Sequence, residues 1–192
     1  MKITAQEFFQ KFKELFDRTY EKSRDEVLEK YKDRKAWTKF MLEGDEAFIP
    51  KVIDQLGYIR HIELECRREF FSFDLCVWDK GNFEDNKPRY RQPLYLHTTI
   101  EHEEGPNPEE EFWKLLHWYS PLKILISYPS NVQKMIKYFN RIRKKVCSFH
   151  ARSPEEQYLL IFGTPPDKLY DNNIRWRGWF CEPNDDGFRE IT

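Results

Sequence analysis

A mixed α/β fold is what this sequence predicts, and three observations predict it. Helical and strand periodicities alternate along the chain: two helical segments, three strands, then helix, strand, helix and two final strands. The early strands follow one another closely enough for hairpin pairing, whereas LKILISY (122–128) stands between two helical segments, as in a βαβ unit. The 192 residues also include 16 Phe, 10 Tyr and 6 Trp, enough bulk for a sizeable core and the opposite of a disordered composition. The expected architecture is one domain over residues 1–192, a central mixed sheet flanked by helices, with no internal repeat or linker.

The first helix opens with a capping-box pattern, Thr4 followed by Glu7. Phe8, Phe12, Leu15, Phe16, Thr19 and Tyr20 then recur at helical spacing, and the helix extends to about Tyr31. A second helical stretch covers Trp37 to Leu56, interrupted near Gly44 and Pro50, and ends at Gly57. From there IRHIELECRR and EFFSFDLCVWD read as a strand hairpin. In its second strand Phe71, Phe73, Leu75 and Val77 share one face, and Ser72, Asp74 and Cys76 the other. Residues 79–93 are polar and loop-like. The third strand, LYLHTTIEHE, puts Leu94, Leu96, Thr98 and Ile100 on one side and Tyr95, His97, Thr99, Glu101 and Glu103 on the other.

Asn107, Pro108 and the glutamates 109–111 supply a cap, a first-turn proline and negative charge for the next helix. Its apolar face is Phe112, Trp113, Leu115, Leu116 and Tyr119. LKILISY is short and apolar enough for a strand buried on both faces. Ser130 with Gln133 caps the following helix, whose apolar residues are Val132, Met135, Ile136, Phe139 and Ile142. Strands near 157–163 and 174–182 complete the series.

Charge narrows the function. Lys and Arg number 32 against 33 Asp and Glu, a net of −1, which excludes a polybasic nucleic-acid binder without excluding a locally basic face. No apolar run reaches the ~18 residues that cross a bilayer, and the first residues carry no signal-peptide core. Cys66, Cys76, Cys147 and Cys181 are scattered with no CxxC pair, which argues against a zinc site or a disulfide framework. A cytoplasmic, reducing setting is the expectation.

Three carboxylates stand on strands that otherwise read as core. Asp74 lies mid-strand in FSFDLCVW, and Glu101 and Glu103, two residues apart, project the same way about 6.6–6.8 Å from each other. If the second and third strands are neighbours, Asp74 joins them on one face. Partly buried anions that converge repel one another and pay desolvation, and a divalent cation with a taste for hard oxygen, Mg²⁺ or Mn²⁺, relieves both.

Asp74 followed by Glu101-x-Glu103 on consecutive strands, then a helix and a buried strand, resembles the PD-(D/E)XK nuclease superfamily, the restriction-endonuclease-like fold. The resemblance implies a core over residues 36–128, preceded by an N-terminal helical extension (1–35) and followed by a helix and further strands (129–192). It implies that Asp74 and Glu101 bind the metal. Glu103 stands where that family usually has the lysine that orients or activates the attacking water, and some type II restriction enzymes also have Glu there. Lys114, on the following helix, is the natural substitute for that lysine. Glu43 or Glu46, before the first strand, could complete the site. The implied activity is Mg²⁺- or Mn²⁺-dependent cleavage of DNA or RNA; the alternative is an inactive module of the same fold that binds protein or nucleic acid.

Each feature also has a plainer reading. Glu101 and Glu103 begin EHEEGPNPEEE, six acids in eleven residues ahead of a helix, and Asp74 could pair with Arg67 or Arg68. The stretch 134–152 has seven Lys or Arg and no acid. In it Lys134, Lys137, Arg141, Lys144 and Lys145 lie off the apolar stripe and could follow a phosphate backbone with Arg175 and Arg177, or form a solvated face. Trp176 and Trp179 could stack bases or fill a core. His97 and His102 read as satisfied core or edge histidines.

Overall fold

The computed structural model describes residues 2–44, 46–70, 72–79, 96–149, 153–165, 173–182 and 187–191. The loop expected at 79–93, apart from Asp79, lies outside these residues, as do Phe71, Leu94, Tyr95 and Arg152. The described residues form five helices and seven strands in a mixed α/β fold, as the periodicities predict. The chain divides into two compact units, residues 1–97 and 98–192.

The first unit holds three helices and a hairpin. α1 (Ala5–Lys32) starts with the expected capping box: Glu7 N–H donates to Thr4 Oγ1 at 3.2 Å, and Thr4 N–H donates to Glu7 Oε2 at 3.0 Å. Two orphan helix donors are thereby satisfied. The second helical stretch is two helices, α2 (Arg34–Leu42) and α3 (Phe48–Arg60). Their aromatics and those of α1 build one core, with Phe12 and Phe16 edge-on to Phe48 at 5.2 and 5.7 Å and Trp37 buried beside Phe16. The aromatic richness of the amino-terminal third is therefore packing.

α3 runs past Gly57, where the sequence suggested an end, and stops at His61 in the left-handed region (φ 55°). Gly57 serves the return of the chain, since a Cβ there would come 2.8 Å from the Ile62 carbonyl oxygen. The first strand accordingly begins at Leu64 and not before it. β1 (Leu64–Phe70) and β2 (Phe73–Asp79) pair antiparallel, with Phe70 opposite Phe73 beside the turn. Ser72 turns with φ 65°, the left-handed backbone that short hairpin loops need.

In the second unit, β3 (Leu96–Glu103, entering from the first unit), β4 (Leu122–Ser127) and β5 (Gln157–Thr164) run parallel, and β6 (Arg175–Cys181) and β7 (Arg189–Ile191) continue antiparallel in that order. α4 (Pro108–Leu116) and α5 (Val132–Ser148) make the parallel crossovers. Every residue of β4 is buried, the condition its apolar run predicts. Two caps differ from expectation. Asn107 makes no side-chain cap bond, and α5 is capped by Asn131, whose side chain accepts from Lys134 N–H at 2.8 Å, in place of Ser130.

Candidate functional site

Register fixes which side chains share a face of the strands in the second unit. One row is Thr99, Lys123, Tyr158 and Cys181; the next is Glu101, Leu125, Leu160 and Trp179; the third is Glu103, Ser127, Phe162 and Arg177. Glu101 and Glu103 thus lie on one face toward the carboxyl ends of parallel strands, the end at which open α/β sheets bind ligands.

Glu101 is 1% exposed. A carboxylate buried so deeply costs free energy unless something compensates it. Lys114 Nζ, reaching in from α4, stands 3.5 Å from Glu101 Oε1 and also pairs with Glu111. Partial burial pulls the Lys114 amine down, but the bonds and charges of Glu111 and Glu101 outweigh it and hold the amine above its usual range. Glu103 is half-buried and accepts from the N–H of Gly105, in the turn before α4.

Asp74 belongs to the first unit, half-buried on β2. Arg67 and Arg68, its suggested partners, are placed otherwise: Arg68 pairs with Glu43 at 3.1 Å and with Glu69 at 3.7 Å, and Arg67 lies over the Phe70 ring. Of the two candidate helix acids, Glu43 is therefore engaged with the hairpin, and Glu46 points to solvent and pairs with Lys51.

The donor type fits the metals implied. All the acids present carboxylate oxygen, the ligand Mg²⁺ and Mn²⁺ prefer. Among the described residues no three His, Cys, Asp or Glu side chains converge as one set. Mg²⁺ commonly takes only one or two carboxylates and fills its remaining positions with water and substrate phosphate oxygens.

The basic helix is divided by its neighbours. On parallel α4 and α5, three residues at four-residue spacing face three others. Glu109 takes Arg141 at 2.7 Å, Trp113 lies under Lys145 Nζ at 5.1 Å, and His117 meets Phe149 with ring centroids 5.2 Å apart. Arg141 and Lys145 thus belong to a helix–helix seam, whereas Lys137 and Lys144 stay exposed on α5. The sequence placed all four off the apolar stripe, correctly, but the seam depends on a second helix.

Each histidine has an internal polar neighbour, an ion-pair contact for His97 and a hydrogen bond for His102. His97 Nε2 is 2.9 Å from Asp79 Oδ1, and His102 Nε2 is 2.8 Å from Tyr128 Oη. Trp176 and Trp179 are buried, Trp176 against Tyr128 and Trp179 against Phe139 and Phe162. The core explains them without a base to stack on.

Sequence reading misses Lys123, which sits inside the apolar run LKILISY. It is fully buried, its Nζ 2.8 Å from Glu156 Oε1, while Tyr158 Oη donates to Glu156 Oε2 at 2.8 Å. Burial draws the Lys123 amine down, against the opposing pull of Glu156. Only the polar interruption in that strand signals it.

No family model matches the chain, and no curated protein or solved structure matches it. No described helix is long and apolar enough to cross a membrane.

Proposed function

We propose that this protein is a Mg²⁺- or Mn²⁺-dependent nuclease, or a nuclease-like phosphodiesterase, acting on DNA or RNA in the cytoplasm. Glu101 carries the reading. Its carboxylate is 1% exposed, stands toward the carboxyl end of a parallel strand, and has a partly exposed lysine, not a buried one, 3.5 Å away. The order of an antiparallel hairpin, then β3, α4 and a parallel β4, agrees with the resemblance to the PD-(D/E)XK nucleases.

A bound divalent cation would supply a Lewis acid and lower the pKa of a water. Glu101 would hold it, and Asp74 is the second ligand that the family resemblance implies. Glu103 orients the attacking water, and Lys114 keeps the Glu101 carboxylate in place and offsets charge gathering on the phosphate. Lys137 and Lys144 meet the backbone of the strand. Glu46 contributes no ligand in this reading, because it faces solvent.

Incubation with supercoiled plasmid, single-stranded DNA and RNA tests the proposal. Cleavage is expected with Mg²⁺ or Mn²⁺, with none in EDTA and none for Glu101→Gln. A folded wild-type protein that cuts none of them with either metal overturns it. That result favours a non-catalytic module of the same fold, a reading supported by the ionic contacts that Glu101, Lys114 and Glu111 already make with one another.

A further inference from the structure

A cavity of about 450 Å³ opens in the second unit at the same end of its strands, away from the carboxylates. Three segments line it: Ser130 to Gln133 with Met135, after β4; Thr164 and Pro165, at the end of β5; and Arg175 and Arg177, where β6 begins. Among the described lining residues there is no Asp or Glu. Two guanidiniums, the Ser130 hydroxyl and two side-chain amides line it, groups of the kind an oxyanion takes, while Glu190 already accepts from Nε and Nη2 of Arg177 and the Thr164 hydroxyl donates to the Arg175 carbonyl oxygen.

Two further features favour an anion there. Asn131 engages the Lys134 and Met135 amides, which leaves the Val132 and Gln133 N–H groups at the open end of α5, and the first turn of α5 contains no acid. Arg177 is locked in place: Glu190 accepts from its Nε and Nη2 at 2.7 and 2.8 Å, and its guanidinium lies over the Trp179 ring at 4.8 Å. A guanidinium fixed in this way loses less freedom on meeting a phosphate.

Placement identifies the phosphate. Arg177 ends the row that starts at Glu103 and passes through Ser127 and Phe162. Three inter-strand steps, roughly 14 Å, separate the two along one face. We infer that this cavity is a subsite for a backbone phosphate of a nucleic-acid strand, held by Arg175 and Arg177 while the nucleic acid runs along the end of the β-strands toward Glu103; Ser127 and Phe162, between them, are buried. The inference rests on the nuclease reading for the identity of the ligand.

Fluorescence anisotropy of a short labelled oligothymidylate in EDTA tests it without any cleavage. Wild type is expected to bind in a salt-dependent manner, and inorganic phosphate to compete. Arg175→Gln should weaken binding by about tenfold and lower the salt slope by about one. Ser130→Asp, which puts a charge into the cavity from an exposed position, should weaken it similarly with the melting temperature unchanged. Failure of wild type to bind the oligonucleotide, or folded variants that bind like wild type, each overturns the subsite. Intact arginine-dependent binding by a protein that cleaves nothing counts against the nuclease reading alone.

Discussion

Lys123–Glu156 and Lys114–Glu101 stand in neighbouring rows on one face of the same sheet, and their geometries differ at every point. Lys123 and Glu156 are both buried and 2.8 Å apart, and Tyr158 occupies the second carboxylate oxygen. Glu101 is equally buried, but its lysine is 44% exposed, 3.5 Å away and shared with Glu111. The first pair is closed to solvent: both charges are buried and in ion-pair contact, with no further hydrogen bond to Lys123 Nζ among the described residues. The second joins a buried acid to a lysine that is partly exposed and shared with a second acid. Two pairs of the same chemistry thus separate into a structural element and a candidate site by exposure and partner number.

Breaking the closed pair should have the largest effect. Lys123→Met leaves a buried, uncompensated Glu156, a situation that costs about 3–5 kcal/mol. At roughly 2–4 °C per kcal/mol for a chain of this size, melting should fall by about 6–20 °C. Adding Glu156→Gln should recover part of the loss, because the amide oxygen still accepts from Tyr158. Thermal unfolding of the single and double variants checks this, and a Lys123→Met protein as stable as wild type would refute the closed-pair description.

The open pair should respond in activity more than in stability. Lys114→Gln removes the group that holds Glu101, and cleavage should drop about 10- to 100-fold, the range for residues that position metal-binding ligands. Its stability effect is smaller and depends on pH. Because the folded protein holds the Lys114 amine above 10.5, the contribution is complete below pH 10.5 and lost as pH rises through the folded value. The melting difference between wild type and Lys114→Gln should therefore be flat up to that pH and shrink beyond it, and a difference that grows there would contradict the pairing.

What the sequence makes legible is local. The Thr4–Glu7 capping box and the unbroken burial of β4 depend on neighbouring residues, and both are present as read. The end of α3 is set by the approach of Ile62 to Gly57 and the left-handed His61, which no periodicity encodes. β7 has three residues, too few to show a period. The candidate site divides in the same way. Strand parity put Glu101 and Glu103 on one face. That Lys114 reaches Glu101, that Arg141 and Lys145 enter a helix seam, and that a lysine hides in β4 are all products of tertiary packing.

Metal-linked melting tests most directly the proposal that Glu101 is a metal ligand and not a structural acid. Binding to the folded state alone raises stability by RT ln(1 + [L]/Kd), about 2.7 kcal/mol when the metal stands at 100 Kd. Titrating Mn²⁺ or Mg²⁺ into the metal-free protein should raise the melting temperature of wild type progressively, and Glu101→Gln should show no rise. Equal behaviour of the two proteins, whether both rise or neither does, would contradict the claim.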